Sequence, residues 1–396
     1  MKVVQINAVS GMGSTGKIVE DISNLLNEQN IENYILYSLG NTNHNNSIKF
    51  TSMPYIKFNA LKSKIMGNFG FNSIFSTHKL IRKLKNIEPD IVHLHNLHSH
   101  DVNLKILFNF LRKQDMKVVW TFHDCWSFTG GCTHFDYINC NKWKEECENC
   151  QIYKDFSYFF DTSKTIYNKK KKCTSGLDLT IVTPSRWLAN LVKDSFFKEY
   201  PVKVIHNGIN LSVFKPTENN FREKYEIKDK YIILGVSSGW GDKKGYDVFF
   251  ELSKKLDDRF KIVLVGCSKE QISQLPANII GIEKTNNQIE LSQIYTAADL
   301  FVNATREDTF PTVNLEALAC GTPVLTFNTG GSPECIDNTC GVVVEKDDVD
   351  ELYGGINSLF FNCISSQDCI NRAKNIFDAK DRYFDYLNLY KEVLKK

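Results

Sequence analysis

Residues 306–324 read REDTFPTVNLEALACGTPV and set the architecture that we expect for this chain of 396 residues. An apolar run at 299–303 precedes them, and another begins at Pro323. Pro311 suits the first turn of a helix, Gly321 suits its C-terminal end, and Pro323 cannot continue it. The stretch therefore predicts a strand, a helix and a second strand, the unit from which parallel sheets are built.

The same alternation of short β-branched runs and helical stretches covers the rest of the chain. It predicts an α/β fold with parallel sheets covered on both faces. The runs are 3–7, 34–38, 90–95, 117–123 and 179–183, then 231–237, 261–266, 278–282, 299–303, 323–327 and 341–345. We predict an N-terminal lobe at 1–206, a C-terminal lobe at 207–375 and a final helix at 376–396. Tyrosines and leucines at helical spacing should pack this helix against a lobe.

Length and charge narrow the classes of function. A chain of 396 residues suggests about two domains, because a single hydrophobic core rarely serves so many residues. The formal net charge of +2 gives no reason to expect nucleic acid as a partner. The sequence has no signal-peptide pattern at its start and no apolar run long enough to span a bilayer. We therefore expect a cytoplasmic protein.

Ligands of parallel sheets bind at the carboxyl ends of the strands, so residues that follow predicted strands are the candidate site. Within 306–324, Asp308 precedes the predicted helix and Glu316 lies inside it. Both carboxylates can face one ligand, and the amides of Thr312 and Val313 are free at the helix start. Carboxylates accept hydrogen bonds well from ribose hydroxyls, although a solvated acidic loop would show the same pattern.

A glycine-containing loop follows the first predicted strand and opens a helix. It comprises Gly13, Ser14, Thr15 and Gly16. Glycines let the backbone approach a phosphate, and a helix N-terminus offers free N–H groups. The spacing fits neither the dinucleotide fingerprint nor the Walker loop, so a tight turn into a helix is an equally good interpretation.

Four stretches resemble motifs of the retaining, family-4 (group 1) glycosyltransferases. They are the acidic stretch with Asp308 and Glu316, VIHNGIN at 204–210, KKGYD at 243–247 and TFHDCW at 121–126. They occur in the family's order and cover nearly the whole chain. The resemblance implies the GT-B fold, in which two Rossmann-like lobes face a central cleft and a C-terminal helix packs back on a lobe.

The resemblance also implies that the C-terminal lobe binds a nucleotide-diphosphate sugar. Glu316 would hold the ribose, and the amides of Thr312 and Val313 would hold the diphosphate. Lys244 would offset the charge that develops on the leaving nucleotide. The further donor contacts that it implies are Gly13, Ser14, Thr15, Gly16, Glu283, Lys284, Thr285, Phe310 and Pro311.

Two positions depart from the family pattern. Asp308 takes the place of the first glutamate of an acidic pair beside the donor sugar, and it is one methylene shorter. Glu307 is therefore an alternative contact. Many relatives carry an arginine shortly before the lysine that matches Lys244, whereas this chain has SSGW at 237–240. Either another cation replaces this arginine, or Lys244 and backbone amides hold the diphosphate.

In the N-terminal lobe, the resemblance places His123 near the donor sugar and the acceptor. Strand alternation puts His93 and His95 on one face and leaves His98 in the following loop. We assign His95 and His98 to the acceptor side and His93 to packing.

The function that the resemblance implies is retaining transfer of a hexose-type sugar from a UDP- or GDP-type donor. The acceptor would be a glycan or a lipid-linked molecule in the synthesis of a bacterial surface polysaccharide. No catalytic metal is expected, because positioning and charge stabilisation carry such a reaction. Three alternatives stay open: a nucleotide-sugar epimerase on the same scaffold, a dehydrogenase that uses the glycine loop, and an inactive nucleotide-sugar-binding subunit.

An insertion at 125–150 is rich in cysteine. Cys132, Cys140, Cys147 and Cys150 end in a Cys-x2-Cys pair, a spacing favoured by tetrahedral thiolate sites. We predict a structural zinc ion that orders the insertion. Disulfides, an iron–sulfur centre and free thiols are the alternatives.

Residues 55–85 mix lysine and arginine with large apolar side chains such as Phe58 and Phe75. Such a segment can rest on the inner face of the cytoplasmic membrane, as in a peripheral membrane protein, or it can pack on its own sheet. We favour packing. The lysine run at 169–172 is interpreted as a solvated surface.

Overall fold

The computed structural model describes residues 1–42, 44–362 and 364–395. The chain divides into two compact units. The first is Met1–His206 together with Tyr383–Lys396, and the second is Asn207–Arg382. No helix within the described ranges combines the length and the apolar character that crossing a membrane requires.

The first unit is built on a parallel sheet with the strand order β3-β2-β1-β4-β5-β6-β7. Its strands are β1 (Lys2–Val9), β2 (Glu32–Leu39), β3 (Ser47–Lys49), β4 (Ile91–Leu94), β5 (Lys117–Thr121), β6 (Leu179–Thr183) and β7 (Val202–Val204). Its helices are α1 (Gly13–Glu28), α2 (Met53–Met66), α3 (Ile74–Ile87), α4 (Leu104–Lys113), α5 (Ser163–Thr174) and α6 (Arg186–Asp194).

The second unit has a parallel sheet with the order β10-β9-β8-β11-β12-β13. Its strands are β8 (Tyr231–Val236), β9 (Phe260–Val265), β10 (Ile279–Ile282), β11 (Leu300–Asn303), β12 (Val324–Phe327) and β13 (Gly341–Val344). Its helices are α7 (Phe221–Lys224), α8 (Tyr246–Lys255), α9 (Lys269–Gln274), α10 (Gln288–Ala297), α11 (Thr312–Ala319), α12 (Val349–Asn362) and α13 (Ser366–Phe377).

Both sheets contain the strand order 3-2-1-4-5-6 of doubly wound folds, which confirms the predicted α/β class. In this order the direction of winding reverses between β1 and β4, and again between β8 and β11. Helices cover both faces, so strand residues are buried on either side. In β8, Ile232 and Leu234 join one apolar cluster, whereas Ile233 joins another on the opposite face.

The helix of the stretch at 306–324 forms as expected, as α11. Pro311 is its N-cap, one position before the first turn, and Gly321 follows its end with a φ of 85°. That left-handed conformation favours glycine and ends the helix.

The final helix, α14 (Ala379–Lys395), packs on the first unit as its spacing predicted. Tyr390 Oη lies 2.7 Å from His93 Nδ1, and Tyr383 Oη donates to Asp21 Oδ2 at 3.0 Å. The helix begins at 379 and not at 376, because the chain around Asp378 pairs with Ile209 in a parallel bridge.

Candidate active site

Two adjacent ion pairs lie where β8 and β11 end. Lys244 Nζ is 3.0 Å from Asp308 Oδ2, and Lys243 Nζ is 2.6 Å from Glu307 Oε1. The lysines come from the turn after β8 and the acids from the loop after β11, its neighbour in the sheet. Glu307 is only 5% exposed, whereas Asp308 is 24% and Lys244 40% exposed. The structure thus buries the Glu307 carboxylate against Lys243 and presents Lys244 with Asp308 to solvent.

Close backbone contacts hold these loops in place. Gly245 has a φ of 69°, and a Cβ there would lie 2.2 Å from the carbonyl oxygen of Ala304. Gly330 has a φ of 56°, and its Cβ would lie 1.8 Å from the carbonyl oxygen of Asp308. Only glycine fits at either position. The glycine of the KKGYD motif therefore sets the distance between the lysine turn and β11.

The N-terminus of α11 faces the same edge. Asp308 Oδ1 accepts a hydrogen bond from the amide of Phe310 at 3.2 Å, and the helix has no side-chain cap. The amides of the first turn, at Thr312 and Val313, therefore carry the positive end of the helix dipole. The side chains of Phe310 and Pro311 are buried, so any donor contact at these two positions would come from the main chain.

Glu316 lies on α11 and accepts a hydrogen bond from the hydroxyl of Tyr295 at 3.0 Å. Tyr295 is fully buried, and burial followed by the charge of Glu316 raises its pKa well above the ordinary value. Its hydroxyl therefore stays protonated and orients the carboxylate. Sequence reasoning missed Tyr295, because nothing in the pattern of α10 links it to a residue 21 positions away.

The other predicted donor contacts lie elsewhere. Glu283, Lys284 and Thr285 follow β10, the edge strand, three strand spacings or about 14 Å from β11. Gly13, Ser14, Thr15 and Gly16 open α1 in the first unit, and the first three are not buried. Glu20 Oε1 anchors that loop by accepting hydrogen bonds from Ser10 and Thr42.

In the first unit, three histidines form a connected row at the ends of β4 and β5. His95 Nδ1 lies 3.0 Å from His123 Nε2, and the rings of His93 and His95 are 4.0 Å apart. His93 is fully buried between Tyr390 and Thr121, in a packing position. Burial lowers the pKa of His123 to about 4 and that of His95 well below its usual value. These imidazoles are therefore neutral at neutral pH.

His98 has a different environment. Its Nε2 lies 2.9 Å from Asp124 Oδ2, and Asp124 Oδ1 accepts a hydrogen bond from the amide of Trp126 at 2.8 Å. Burial lowers the pKa of His98, but the charge and hydrogen bond of Asp124 outweigh it, so the pKa is raised. Although burial alone would raise the pKa of Asp124, His98 holds it at about 2. The HDC sequence contains this aspartate, but its partner in another loop is set by the fold.

Arg306 directly precedes the acid pair but does not replace the missing arginine. It donates to both carboxylate oxygens of Asp247, at 2.8 and 2.7 Å, and to Asp347 at 2.5 Å. Hydrogen bonds to Asp247 come first among the causes that raise its pKa. Its charge is engaged in a structural clamp, which leaves Lys244 as the cation beside Asp308.

The four cysteines of the predicted zinc site line one cavity of about 20 Å³. Burial raises the pKa of the Cys132 and Cys147 thiols to about 12. Across the described part of the chain, no three His, Cys, Asp or Glu side chains are already arranged to hold a metal ion. Structural zinc at Cys132, Cys140, Cys147 and Cys150 therefore stays a prediction.

Two surface interpretations need correction. Lys170, within the run at 169–172, is buried and donates to the carbonyl oxygens of Trp126 and Thr129. The solvated interpretation is therefore wrong for this residue, because its ammonium group is itself buried and hydrogen-bonded to the main chain. Packing of residues 55–85 holds for Ile56, which is 6% exposed, but not for Phe58, which is 63% exposed.

Solved structures with the same architecture identify the fold. Sucrose-phosphate synthase from Thermosynechococcus elongatus superposes with a TM-score of 0.75 at 15% identity, over 100% of this chain and 99% of that chain. HepE from Anabaena, solved in complex with UDP, superposes with a TM-score of 0.71 at 14% identity, over 99% and 100%. The chain therefore has the GT-B fold.

Sequence comparison gives the family. The model for glycosyltransferase family 4 matches residues 16–213, and the model for glycosyl transferases group 1 matches residues 217–376. The putative colanic acid biosynthesis glycosyl transferase WcaC of Escherichia coli is 22% identical over 419 aligned residues, covering 99% of this chain and 100% of the relative. The chain belongs to the family-4, group 1 glycosyltransferases, and the dehydrogenase alternative is wrong.

Proposed function

We propose that this glycosyltransferase moves a hexose-type sugar, with retention of configuration, from a UDP- or GDP-type donor to a glycan or lipid-linked acceptor. The synthesis of a bacterial surface polysaccharide in the cytoplasm is part of the same proposal, since the name of WcaC refers to colanic acid. The observation that carries the proposal is the exposed Lys244–Asp308 pair beside the N-terminus of α11.

The diphosphate is assigned to Lys244 and the amides of Thr312 and Val313. A helix N-terminus with no side-chain cap favours an anion, and a half-exposed ammonium group adds a full positive charge. HepE, which has a similar fold, is solved in complex with UDP, and this supports a diphosphate ligand.

The ribose is assigned to Glu316. Tyr295 holds one carboxylate oxygen at 3.0 Å, so the side chain is oriented before a ligand arrives. A charge-assisted hydrogen bond to a hydroxyl contributes about 1.5–3 kcal/mol. Preorganisation by Tyr295 reduces the conformational entropy that binding would cost.

Departure of the nucleotide diphosphate is the step that the charges favour. As the bond between the anomeric carbon and the phosphate oxygen breaks, negative charge grows on the leaving oxygen. Lys244 and the helix dipole stabilise this charge. The acceptor hydroxyl attacks the anomeric carbon from the same face, and its proton passes to the leaving phosphate oxygen. The proposal includes no catalytic metal, because these groups already supply the positive charge.

On the acceptor side, the neutral imidazole of His123 is assigned to a sugar or acceptor hydroxyl. His95 lies 3.0 Å from it and fixes which nitrogen carries the proton. The pair of His98 and Asp124 offers a second polar group for an acceptor.

Nucleotide release from a panel of UDP and GDP sugars, with and without lipid-linked acceptors, tests the proposal. One donor should be turned over, and release of its nucleotide should require the acceptor. Glu316→Ala should lower kcat/KM on the order of 10- to 100-fold, with Glu251→Ala, at an exposed carboxylate on α8, as the control.

Undiminished turnover in Glu316→Ala would remove its ribose role. Nucleotide release with an epimerised sugar and no acceptor would identify an epimerase. Donor binding without any turnover would identify an inactive binding subunit.

A further inference from the structure

Helix α2 presents most of its large apolar residues outward. Phe58, Leu61 and Ile65 are spaced so that they share one face, and they are 63%, 53% and 44% exposed. The buried face carries Ile56 and the polar Asn59 and Ser63, which are 6%, 2% and 1% exposed. A surface helix of a water-exposed protein normally has the opposite arrangement. The outward face of α2 is therefore suited to an apolar environment.

Two neighbouring segments adjoin the ends of this helix. Near its start, the amide of Phe75 donates to Tyr55 Oη at 3.2 Å, and Phe75 is 74% exposed. Near its end, the amide of Tyr158 donates to the carbonyl oxygen of Lys64 at 2.7 Å. Phe159 and Phe160, which follow, are 63% and 65% exposed. We call the six side chains the α2 surface: Phe58, Leu61, Ile65, Phe75, Phe159 and Phe160.

The charge on the segment that contains α2 and α3 has one sign, whereas the exposed Asp155 and Asp161 flank Phe159 and Phe160. The segment 53–87 contains seven lysine and arginine residues and no aspartate or glutamate. The whole chain has a net charge of only +2, so this excess is local. Lys57 is exposed on α2 itself, and Lys79 is exposed on α3. A partner that covers this region gains from carrying negative charge.

Exposed aromatic and aliphatic side chains among cations match the boundary between headgroups and acyl chains in an anionic bilayer. The apolar side chains can enter the acyl region while the lysines remain at the level of the lipid phosphates. Exposed apolar surface of this kind on a protein marks an interaction site.

The inner face of α2 touches the loop that carries acceptor-side residues. Ser63 Oγ lies 3.2 Å from His100 Nδ1, and His98 is two residues earlier in that loop. A bilayer on the outer face of α2 would therefore lie about one helix diameter, roughly 10 Å, from this loop.

We propose that the α2 surface docks this enzyme on an anionic lipid bilayer. The role of docking rests on the proposed function, since it would bring a lipid-linked acceptor to the loop with His98 without extraction from the membrane. Docking itself needs neither donor nor acceptor, so it can be measured separately.

Co-sedimentation of the full chain with phosphatidylcholine vesicles, with and without phosphatidylglycerol, tests docking. The chain should bind the anionic vesicles at least about tenfold more tightly than the neutral ones. A variant with Phe58→Ser, Leu61→Ser and Phe75→Ser should lose at least about tenfold in affinity for the anionic vesicles. The matched control replaces Ile289, Phe384 and Leu394, three exposed apolar residues elsewhere, by serine and should bind like the parent.

Thermal unfolding of both triple variants shows whether the fold is intact. A third variant, with Lys57→Gln, Lys62→Gln and Lys64→Gln, should lose the preference for vesicles that contain phosphatidylglycerol. Absence of vesicle binding, or equal binding by the first variant, would overturn the proposal. A dimer in sedimentation equilibrium that the same variant disperses would assign the surface to a second copy of the chain. Vesicle binding without sugar transfer would support docking and contradict the proposed function.

Discussion

The two sheets share one strand order, but the side chains at their carboxyl ends have different chemistry. In the first unit, His95 and His123 are neutral imidazoles with lowered pKa values. In the second, Lys244, Asp308 and Glu316 are charged groups beside a helix N-terminus. The fold supplies two equivalent edges, and a few residues in the loops decide what each edge can bind. The charged edge of the second unit suits a diphosphate. In the first unit, the neutral imidazoles of His95 and His123, beside the His98–Asp124 ion pair, suit sugar hydroxyls.

The largest expected effect comes from removing the cation of the charged edge. Lys244→Ala should lower kcat on the order of 100- to 1,000-fold, because we assign its charge to the leaving nucleotide in the transition state. Steady-state kinetics with the donor identified by the panel measures this. A fall in affinity for the donor with unchanged kcat would contradict the transition-state role.

Its neighbour should behave differently. Lys243→Ala leaves the Glu307 carboxylate, 5% exposed, without its ion-pair partner. We expect a loss of about 1–3 kcal/mol in the free energy of unfolding and little change in kcat. Urea unfolding of the Lys243→Ala and Lys244→Ala variants compares their stabilities, and steady-state kinetics compares their kcat values. An equal loss of kcat in both variants would show that the two ion pairs do not differ in function.

The cysteine insertion belongs to the first unit alone. If zinc binds there, Cys147→Ser should remove the metal and lower Tm by about 5–10 °C. Cys267→Ser, at a buried thiol of the second unit, is the matched control. Elemental analysis of protein purified without chelator checks the metal content. Protein without bound zinc would rule out the structural zinc site.

Acid should destabilise the histidine-rich unit. The pKa of His100 and of His123 is lowered to about 4 in the folded protein, with burial as the largest cause. These histidines bind protons more readily in the unfolded chain than in the folded protein. Their contribution to the free energy of unfolding is therefore complete above about pH 6.5 and is lost as the pH falls towards about 4.

Between pH 7 and pH 5, each of these histidines should account for a loss of about 1–2 kcal/mol. His100→Asn should reduce the pH dependence of unfolding by this amount, with exposed His78→Asn as the control. Urea unfolding followed by tryptophan fluorescence suits the measurement, because Trp120, Trp126 and Trp143 are buried in the first unit. An unchanged slope would show that His100 is protonated as readily in the folded state.

The smallest expected effect concerns the orientation of the Glu316 carboxylate, which we assign to the ribose. Tyr295→Phe removes the hydroxyl that holds Glu316 and should raise KM for the donor about fivefold, with kcat nearly unchanged. A fall in kcat alone would mean that the hydroxyl acts in the chemical step.

Local sequence predicted much of the fold and the position of the charged edge. The β-branched runs became strands because their residues are buried on both faces of covered sheets, and α11 formed between Pro311 and Gly321. The predicted packing of residues 55–85 was wrong at Phe58 and Phe75, because apolar content does not reveal which face of a helix is outward.

Periodicity, turn residues and short motifs were therefore sufficient for the α/β class, the family and the residues at the strand ends. These signals depend on residues that are close in the sequence, so they can be recognised without the tertiary structure. Only the tertiary structure decided which side chains interact: Lys243 with Glu307, Tyr295 with Glu316, and Asp124 with His98. Each pair joins separate loops or helices, so its distance and burial depend on how the elements pack, and the pKa values follow from that packing.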